Sequence, residues 1–226
     1  MLVTEGSRMI ITLEGVQGSG KTLSAVALCY YDAQKGRKVF SNNHLNEKTF
    51  GTYTYFDVEY FLEHFADTEM EGATLLLDEA YIYLDARTSG GKLNKLFTYY
   101  TVQTRKRGVD MYVCTHHIDV LDKRLRRAVD VRGTCRYIKQ DPCRMCNGEG
   151  SIKNRKTGGK WARCPQCLGY GETGWAYTDF VRQRTGERSR VTLLGPAFWA
   201  LYNTKEKIPV TTGQMRLDPR DIAMAH

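Results

Sequence analysis

Gly15-Val16-Gln17-Gly18-Ser19-Gly20-Lys21-Thr22 decides how this chain folds. The stretch fits G-x-x-x-x-G-K-[ST], and both flanks agree with it. An apolar, β-branched run, Met9-Ile10-Ile11-Thr12-Leu13, enters it, and a helical pattern of Leu23, Val26, Ala27 and Tyr30 leaves it and stops at Gly36. A strand feeding a glycine-rich turn and then a helix is the context in which this pattern binds phosphate. The glycines let successive N–H groups turn inward, and the helix aims the positive end of its dipole at the same anion. Gly15, Gly18, Ser19 and Gly20 are expected to cradle the phosphates of ATP, Lys21 to reach the β- and γ-phosphates, and Thr22 to hold Mg²⁺.

Thr74-Leu75-Leu76-Leu77-Asp78-Glu79 is the natural partner of that loop. A continuously apolar run reads as a buried parallel strand, and ligands collect at the carboxyl ends of such strands. Asp78 is therefore expected to bind Mg²⁺, and Glu79 to polarise an attacking water. A catalytic glutamate beside the metal aspartate favours hydrolysis of ATP over simple binding.

Outside these motifs the chain alternates apolar strand-like and helical runs. Strands are expected near residues 9–13, 38–41, 74–78, 109–115 and 131–139. Helices are expected near 22–35, 57–65, 92–107 and 118–128. This order predicts an α/β fold with a parallel central sheet covered by helices on both faces. The 92–107 helix carries a core stripe of Leu93, Leu96, Phe97 and Tyr100, ends at Gly108, and places Arg105, Lys106 and Arg107 where the helix dipole favours cations. Residues 84–91 read as an exposed loop beside the nucleotide.

The chain has 226 residues, room for one sizeable core and a small insertion. Its net charge of +8 suits a polyanionic partner such as DNA. The N-terminus has no basic start followed by an apolar core, and no run reaches the ~18 apolar residues that span a bilayer. The expectation is a cytoplasmic chain without a membrane span, in which seven cysteines serve as core residues or metal ligands rather than disulfides. Cys29, Cys114 and Cys135 read as core.

The other four cysteines form Cys143-x₂-Cys146 and Cys164-x₂-Cys167, separated by seventeen residues. Each pair supplies two thiolates, and four make the tetrahedral set of a structural Zn²⁺ site with no open position. Both pairs continue as Cys-x-x-Cys-x-Gly-x-Gly, which resembles half of the cysteine-rich zinc domain of DnaJ-type co-chaperones; zinc binding is what that resemblance implies. Between them, Lys153, Arg155, Lys156 and Lys160 surround Gly158-Gly159 beside Trp161. Such a tip suits a phosphate backbone, or is a solvated turn. The expected organisation is a P-loop NTPase core over 1–140 and 173–208, a β-hairpin zinc-ribbon insertion over 141–172, and an arm over 209–226.

From Gly15 to about Lys207 the chain resembles the zonula occludens toxin-like P-loop ATPases of filamentous phages, within the broader FtsK–HerA group of DNA-translocating and genome-packaging motors. Gln103 through Asp110, leading into Met111-Tyr112-Val113-Cys114-Thr115-His116, resembles that family's arginine-rich helix end, Gly-x-Asp and sensor strand. Asp122 through Asp130 and Tyr202-Asn203-Thr204-Lys205-Glu206 resemble its next segments. The resemblance implies a homo-oligomeric ring acting on DNA without sequence preference, with a capsid or other virion protein as a further partner. It implies that Arg105 or Arg107 reaches a neighbouring subunit's nucleotide, with Arg87 a third candidate. It makes His116 the sensor, where such ATPases usually carry Gln. The missing membrane span shifts weight from extrusion toward packaging. The competing readings are a filamentous-virus assembly ATPase with a membrane partner, a small-molecule kinase, and a non-enzymatic zinc-ribbon nucleic-acid binder.

Overall fold

Strand β1 (Ile10–Glu14) is buried at every residue, because strands flank it on both sides and protein covers both its faces. The computed structural model describes residues 8–57, 60–61, 70–88, 95, 99, 101, 103–104, 106–154 and 159–203. Helix α1 (Lys21–Gln34) follows β1, then β2 (Val39–Ser41), a short α2 (Glu47–Phe50) and β3 (Thr54–Tyr55). Next come β4 (Thr74–Leu77), α3 (Tyr81–Leu84), β5 (Asp110–Thr115), α4 (Lys123–Ala128) and β6 (Val131–Gln140). A two-stranded hairpin of β7 (Ser151–Asn154) and β8 (Lys160–Arg163) precedes β9 (Thr173–Arg182) and β10 (Arg188–Leu194).

The main sheet has eight strands in the order β10-β9-β6-β1-β5-β4-β2-β3. Pairing is parallel from β6 to β3 and antiparallel from β6 through β9 to β10. The alternation of side chains along each strand divides the apolar residues into two cores. Ile11, Leu13, Leu76, Tyr112 and Cys114 face α1, whose Leu23, Ala25, Val26, Ala27 and Cys29 bring its backbone close to the sheet. Ile10, Leu75, Leu77, Met111 and Val113 face the other way, onto Phe56, Phe61, Leu121 and Leu125. The covered parallel sheet predicted from the alternating runs is present.

Several elements depart from the expected outline. The 118–128 segment is not one helix: Ile118–Val120 forms a single 3₁₀ turn, and Asp122 starts α4 by accepting the Arg124 N–H at 2.8 Å. Strand β10, α2 and β3 were not anticipated, although Gly186 with φ 70° makes a recognisable turn between two alternating runs. Of the expected helix at 92–107, residues 95, 99, 101 and 103 are helical, and its whole core stripe, Leu93, Leu96, Phe97 and Tyr100, lies with Arg105 outside the described residues. The same holds for most of the 57–65 helix, for 89–91 of the expected loop, for residues 155–158 of the basic tip, and for the 209–226 arm. Cys29, Cys114 and Cys135 are buried as expected.

The register of β6 places the insertion. Its parallel pairing with β1 ends at Glu14↔Thr134, but its antiparallel pairing with β9 continues to Gln140↔Thr173. The β6–β9 ribbon therefore runs on past the carboxyl edge of the parallel strands by roughly 20 Å, at about 3.3 Å per residue. The four-cysteine insertion hangs from its end.

Glu14, the last residue of β1, ties this edge together. Its carboxylate accepts two bonds from Arg132 on β6, both 2.8 Å, and one from the Ile118 N–H beyond β5 at 3.1 Å. Burial works to raise the Glu14 carboxyl, but Arg132 and the Ile118 N–H outweigh it and hold it below its usual 4.5. A carboxylate held low stabilises the fold above its unfolded value, and that contribution is lost as pH falls through the lower folded value. Because Arg132 is partly exposed, the pair is worth only about 1 kcal/mol. Glu14→Gln should cost that much at pH 7 in chemical denaturation and make the acid limb shallower below about pH 4.5. Wild-type stability at pH 7 with an unchanged acid limb would show that the pair contributes nothing.

Candidate functional site

The loop between β1 and α1 is built so that only glycine fits its first position. Gly15 has φ 151°, and its N–H donates to the His116 carbonyl at 3.2 Å. A Cβ there would lie 2.5 Å from Ser19 Oγ and 2.9 Å from the Cys135 carbonyl oxygen, and the second of these is backbone that cannot turn away. Gly20, with φ 84°, turns the chain into α1 in place of a side-chain cap. The N–H groups opening α1 are thus left for a ligand. Lys21 is nearly buried, and its ammonium donates to the Gly15 and Val16 carbonyls at 2.9 and 3.1 Å. That holds the positive charge inside the loop's own curve.

Thr22 and Asp78 meet where α1 begins and β4 ends. The Thr22 hydroxyl donates to Asp78 Oδ2 at 2.8 Å. Two asparagines that sequence reading missed fix the aspartate. Asn42 Oδ1 accepts the Asp78 N–H at 2.7 Å, Asn42 Nδ2 donates to the Asp78 carbonyl at 2.9 Å, and Asn43 Nδ2 donates to Asp78 Oδ2 at 3.3 Å. Their signal was a polar pair directly after an apolar strand, at the edge where ligands bind. Burial pushes the Asp78 carboxyl up, against the Thr22 bond, and the neighbouring Glu79 charge adds to the rise.

Glu79 adopts φ 49°, the left-handed region, which is costly for a residue with a Cβ. Its N–H donates to Asp78 Oδ1 at 3.0 Å, and that turn carries its side chain back into the site. Glu79 Oε2 is buried without a hydrogen-bond partner among the described residues. A buried Asp78 carboxylate beside a half-buried Glu79 with one buried, unsatisfied oxygen is the donor set a divalent cation and an ordered water would satisfy. Tyr81, also at this edge, has its hydroxyl pushed up by burial and by the Glu79 carboxylate.

Lys21, Thr22, Asp78 and Glu79 are thus brought together, as the spacing predicts. His116 stands at the end of β5, exposed, with its ring 5.2 Å from that of Tyr81 and its carbonyl holding Gly15. Arg107 lies at the opposite end of the strands, where its carbonyl accepts the Gly72 N–H and its side chain is 3.9 Å from Glu71. Arg87 is exposed and bound to Asp85 at 2.8 Å.

A cleft of about 850 Å³ opens from the loop. Its far wall comes from the overhanging ribbon, the insertion and the segment after β10, through Tyr137, Tyr170, Trp199 and Tyr202. At the neck of the insertion Lys139 bridges Glu172 and Asp141 at 2.6 and 3.2 Å.

The four cysteines converge beyond that neck. Their sulfurs all lie within 4.8 Å of one another, every side chain is buried, and Cys146 and Cys167 are 3.6 Å apart. A tetrahedron with Zn–S of about 2.3 Å separates sulfurs by roughly 3.8 Å, so the cluster is of the right size for one metal ion. The two halves interlock through their backbones: Cys143 N–H donates to the Gly171 carbonyl at 2.8 Å and Cys164 N–H to the Gly150 carbonyl at 2.9 Å. A Cβ at Gly150 would sit 2.6 Å from the Gly169 carbonyl oxygen, and one at Gly171 2.4 Å from that of Gly148. The glycines of the repeated Cys-x-x-Cys-x-Gly-x-Gly are there because backbone meets backbone. Burial would raise Cys167, but the N–H groups of Gly171 and Gly169 and the neighbouring thiols bring it down to about 7.

The sequence profile of the family described as "Zonular occludens toxin (Zot)" matches residues 9–139. Among solved structures, the chain is similar to the N-terminal domain of zonular occludens toxin from Neisseria meningitidis, at 19% identity and a TM-score of 0.54, over 86% of this chain and 98% of that one. It is also similar to the DNA-packaging ATPase of Sulfolobus turreted icosahedral virus, at 14% identity and a TM-score of 0.51, over 82% of this chain and 97% of that one. The corresponding genome-packaging NTPase of Sulfolobus turreted icosahedral virus 2, in complex with AMPPCP, matches with 12% identity and a TM-score of 0.51, over 83% and 98% of the two chains. At these identities the likeness is one of fold, that of a P-loop NTPase. No curated protein matches the chain.

Proposed function

This chain belongs to the zonular occludens toxin (Zot) family, and from that premise we propose that it is an ATP-hydrolysing motor that moves DNA, working as an oligomeric ring in the packaging of a viral genome. One observation carries the enzymatic part: Thr22 hydrogen-bonded to Asp78, with Glu79 turned back beside them and its Oε2 unsatisfied. Thr22 and Asp78 would hold Mg²⁺, which would supply positive charge to offset that of the phosphates. The N–H groups of Gly18 and Gly20 and the Ser19 side chain would face the phosphates, the Ser19 N–H itself donating to the Val16 carbonyl at 3.1 Å, and Lys21 would turn from the loop carbonyls to supply positive charge to them. Glu79 takes the proton of the attacking water. This set argues against a kinase, which has no use for a base beside the metal aspartate, and against a purely structural nucleotide site.

The net charge of +8 supports a polyanionic partner, and the fold is one that the packaging ATPases named above share. Arg107, far from its own chain's site, has a position suited to serving another chain's nucleotide, and Arg105 is proposed with it. His116 is proposed as the sensor through its bond to Gly15. A second reading, an assembly ATPase acting with a membrane partner, rests on the family itself; among the described residues no helix is long and apolar enough to cross a membrane. For the insertion we propose one structural Zn²⁺ held by Cys143, Cys146, Cys164 and Cys167, since four thiolates leave no open position.

Three measurements test these readings. Lys21→Ala should lose ATP binding, while Glu79→Gln should keep it and turn over roughly 10²–10⁴-fold more slowly; wild-type turnover in Glu79→Gln would remove Glu79 as the base. Metal analysis of protein purified without chelator should find one zinc per chain, and Cys143→Ser with Cys146→Ser should abolish it; a metal-free wild type would reject the site. Turnover should be stimulated by DNA and rise more than linearly with protein concentration, and mixing Arg107→Ala with Lys21→Ala subunits should restore activity. Linear, DNA-independent turnover without rescue would favour a monomeric enzyme.

A further inference from the structure

The far wall of the cleft is built from aromatic rings, and each is held in place. Tyr137 projects from the part of β6 that overhangs the sheet and packs directly on the phosphate loop: a Cβ at Gly20 would lie 3.5 Å from Tyr137 Cβ and 3.6 Å from its ring. The Tyr137 hydroxyl and the Trp199 indole nitrogen converge over Gly195, where a Cβ would meet them at 2.9 and 3.0 Å. Tyr170 meets the Trp199 ring edge-on, with centroids 5.1 Å apart and planes at 75°. The row thus runs from the loop, through Tyr137 and Trp199, to Tyr170.

Tyr170 belongs to the insertion. It lies three residues after Cys167, and its N–H donates to the Cys167 carbonyl at 3.0 Å within the interlocked cysteine turns. The ring is nonetheless 46% exposed, and the surface it shows lines the same cleft as Lys21 and Thr22. A large ring held against another ring, across the cleft from a phosphate-binding loop, presents an exposed apolar face that no described residue covers. Flat heteroaromatic groups stack on such faces regardless of their hydrogen-bonding edges.

We propose that the base of the bound nucleoside triphosphate lodges against the Tyr137–Trp199–Tyr170 wall, and that Tyr170 is a base-binding residue delivered by the second cysteine turn. The inference rests on the reading that the loop at Gly15–Thr22 holds the triphosphate. It gives the insertion a task beyond stapling its own fold: it closes the nucleotide site from the side opposite the loop.

Calorimetric titration with two ligands separates base from phosphates: a β,γ-methylene ATP analogue and inorganic tripolyphosphate, each with Mg²⁺. Tyr170→Ala should bind the analogue at least about five-fold more weakly and tripolyphosphate within about two-fold of wild type, and Tyr170→Phe should behave as wild type. Wild-type binding of both ligands by Tyr170→Ala would place the base elsewhere and leave the phosphate reading intact. Equal losses for both ligands would make Tyr170 a support for the loop and overturn the base contact. If wild type bound neither ligand, or Lys21→Ala bound both unchanged, the nucleotide reading would fall and the base wall with it.

Discussion

The hydrogen bond between Thr22 and Asp78 joins two segments fifty-six residues apart and fixes the relation of α1 to β4. It forms only if β1 and β4 lie parallel with β5 between them, so that their carboxyl ends come to the same edge. Everything at the site depends on that edge. The loop leaves β1 there, the carboxylates leave β4 there, and His116 leaves β5 there to hold Gly15 by its carbonyl. The asparagines after β2 complete the arrangement by binding Asp78 through both backbone and side chain. A buried carboxylate with its charge opposed by burial and by Glu79 is an unfavourable object alone. The fold tolerates it because the Thr22 hydroxyl, the Asn43 amide and the Glu79 N–H donate to it.

The second organising feature is the length of β6 and β9. A strand that stopped with its parallel neighbour would end at Thr134; this one continues to Gln140. The extension lifts the cysteine cluster above the sheet edge and sets Tyr137 against the phosphate loop. Lys139, bridging Glu172 and Asp141, fastens the neck. The insertion is thereby a neighbour of the nucleotide cleft and not a remote appendage. Its own geometry follows from the glycines that let one cysteine turn lie backbone to backbone on the other.

Much of this was legible in the residues. The phosphate loop, the Asp78-Glu79 strand end and the paired cysteines are local patterns whose chemistry demands those residue types at those spacings. The strands near 9–13, 38–41, 74–78, 109–115 and 131–139 are short apolar runs bounded by turn residues, and each is present within a residue or two. What escaped notice was polar or marginal: β3 has two residues, α2 has four, and β10 is an edge strand whose exposed residues, Arg188, Ser189, Arg190 and Thr192, are all polar. Asn42 and Asn43 carry no pattern of their own, since an asparagine pair after a strand is ordinary until the strand order is known.

The sequence by itself determined the pattern of the glycine-rich loop, the class of sheet that carries it and the four cysteines that cluster, because those properties reside in contiguous or closely spaced residues. Tertiary structure alone decided which distant residues share the site. It placed Arg107 at the opposite end of the sheet from its own phosphate loop, brought the asparagines that follow β2 onto Asp78, and laid Tyr170 beside Trp199 across from Lys21. The reason is register. Where a strand begins, how far it overhangs its neighbour and which end of it faces the ligand are set by pairings between segments more than a hundred residues apart, such as Glu14 with Arg132 and Ile118, and no local pattern encodes them.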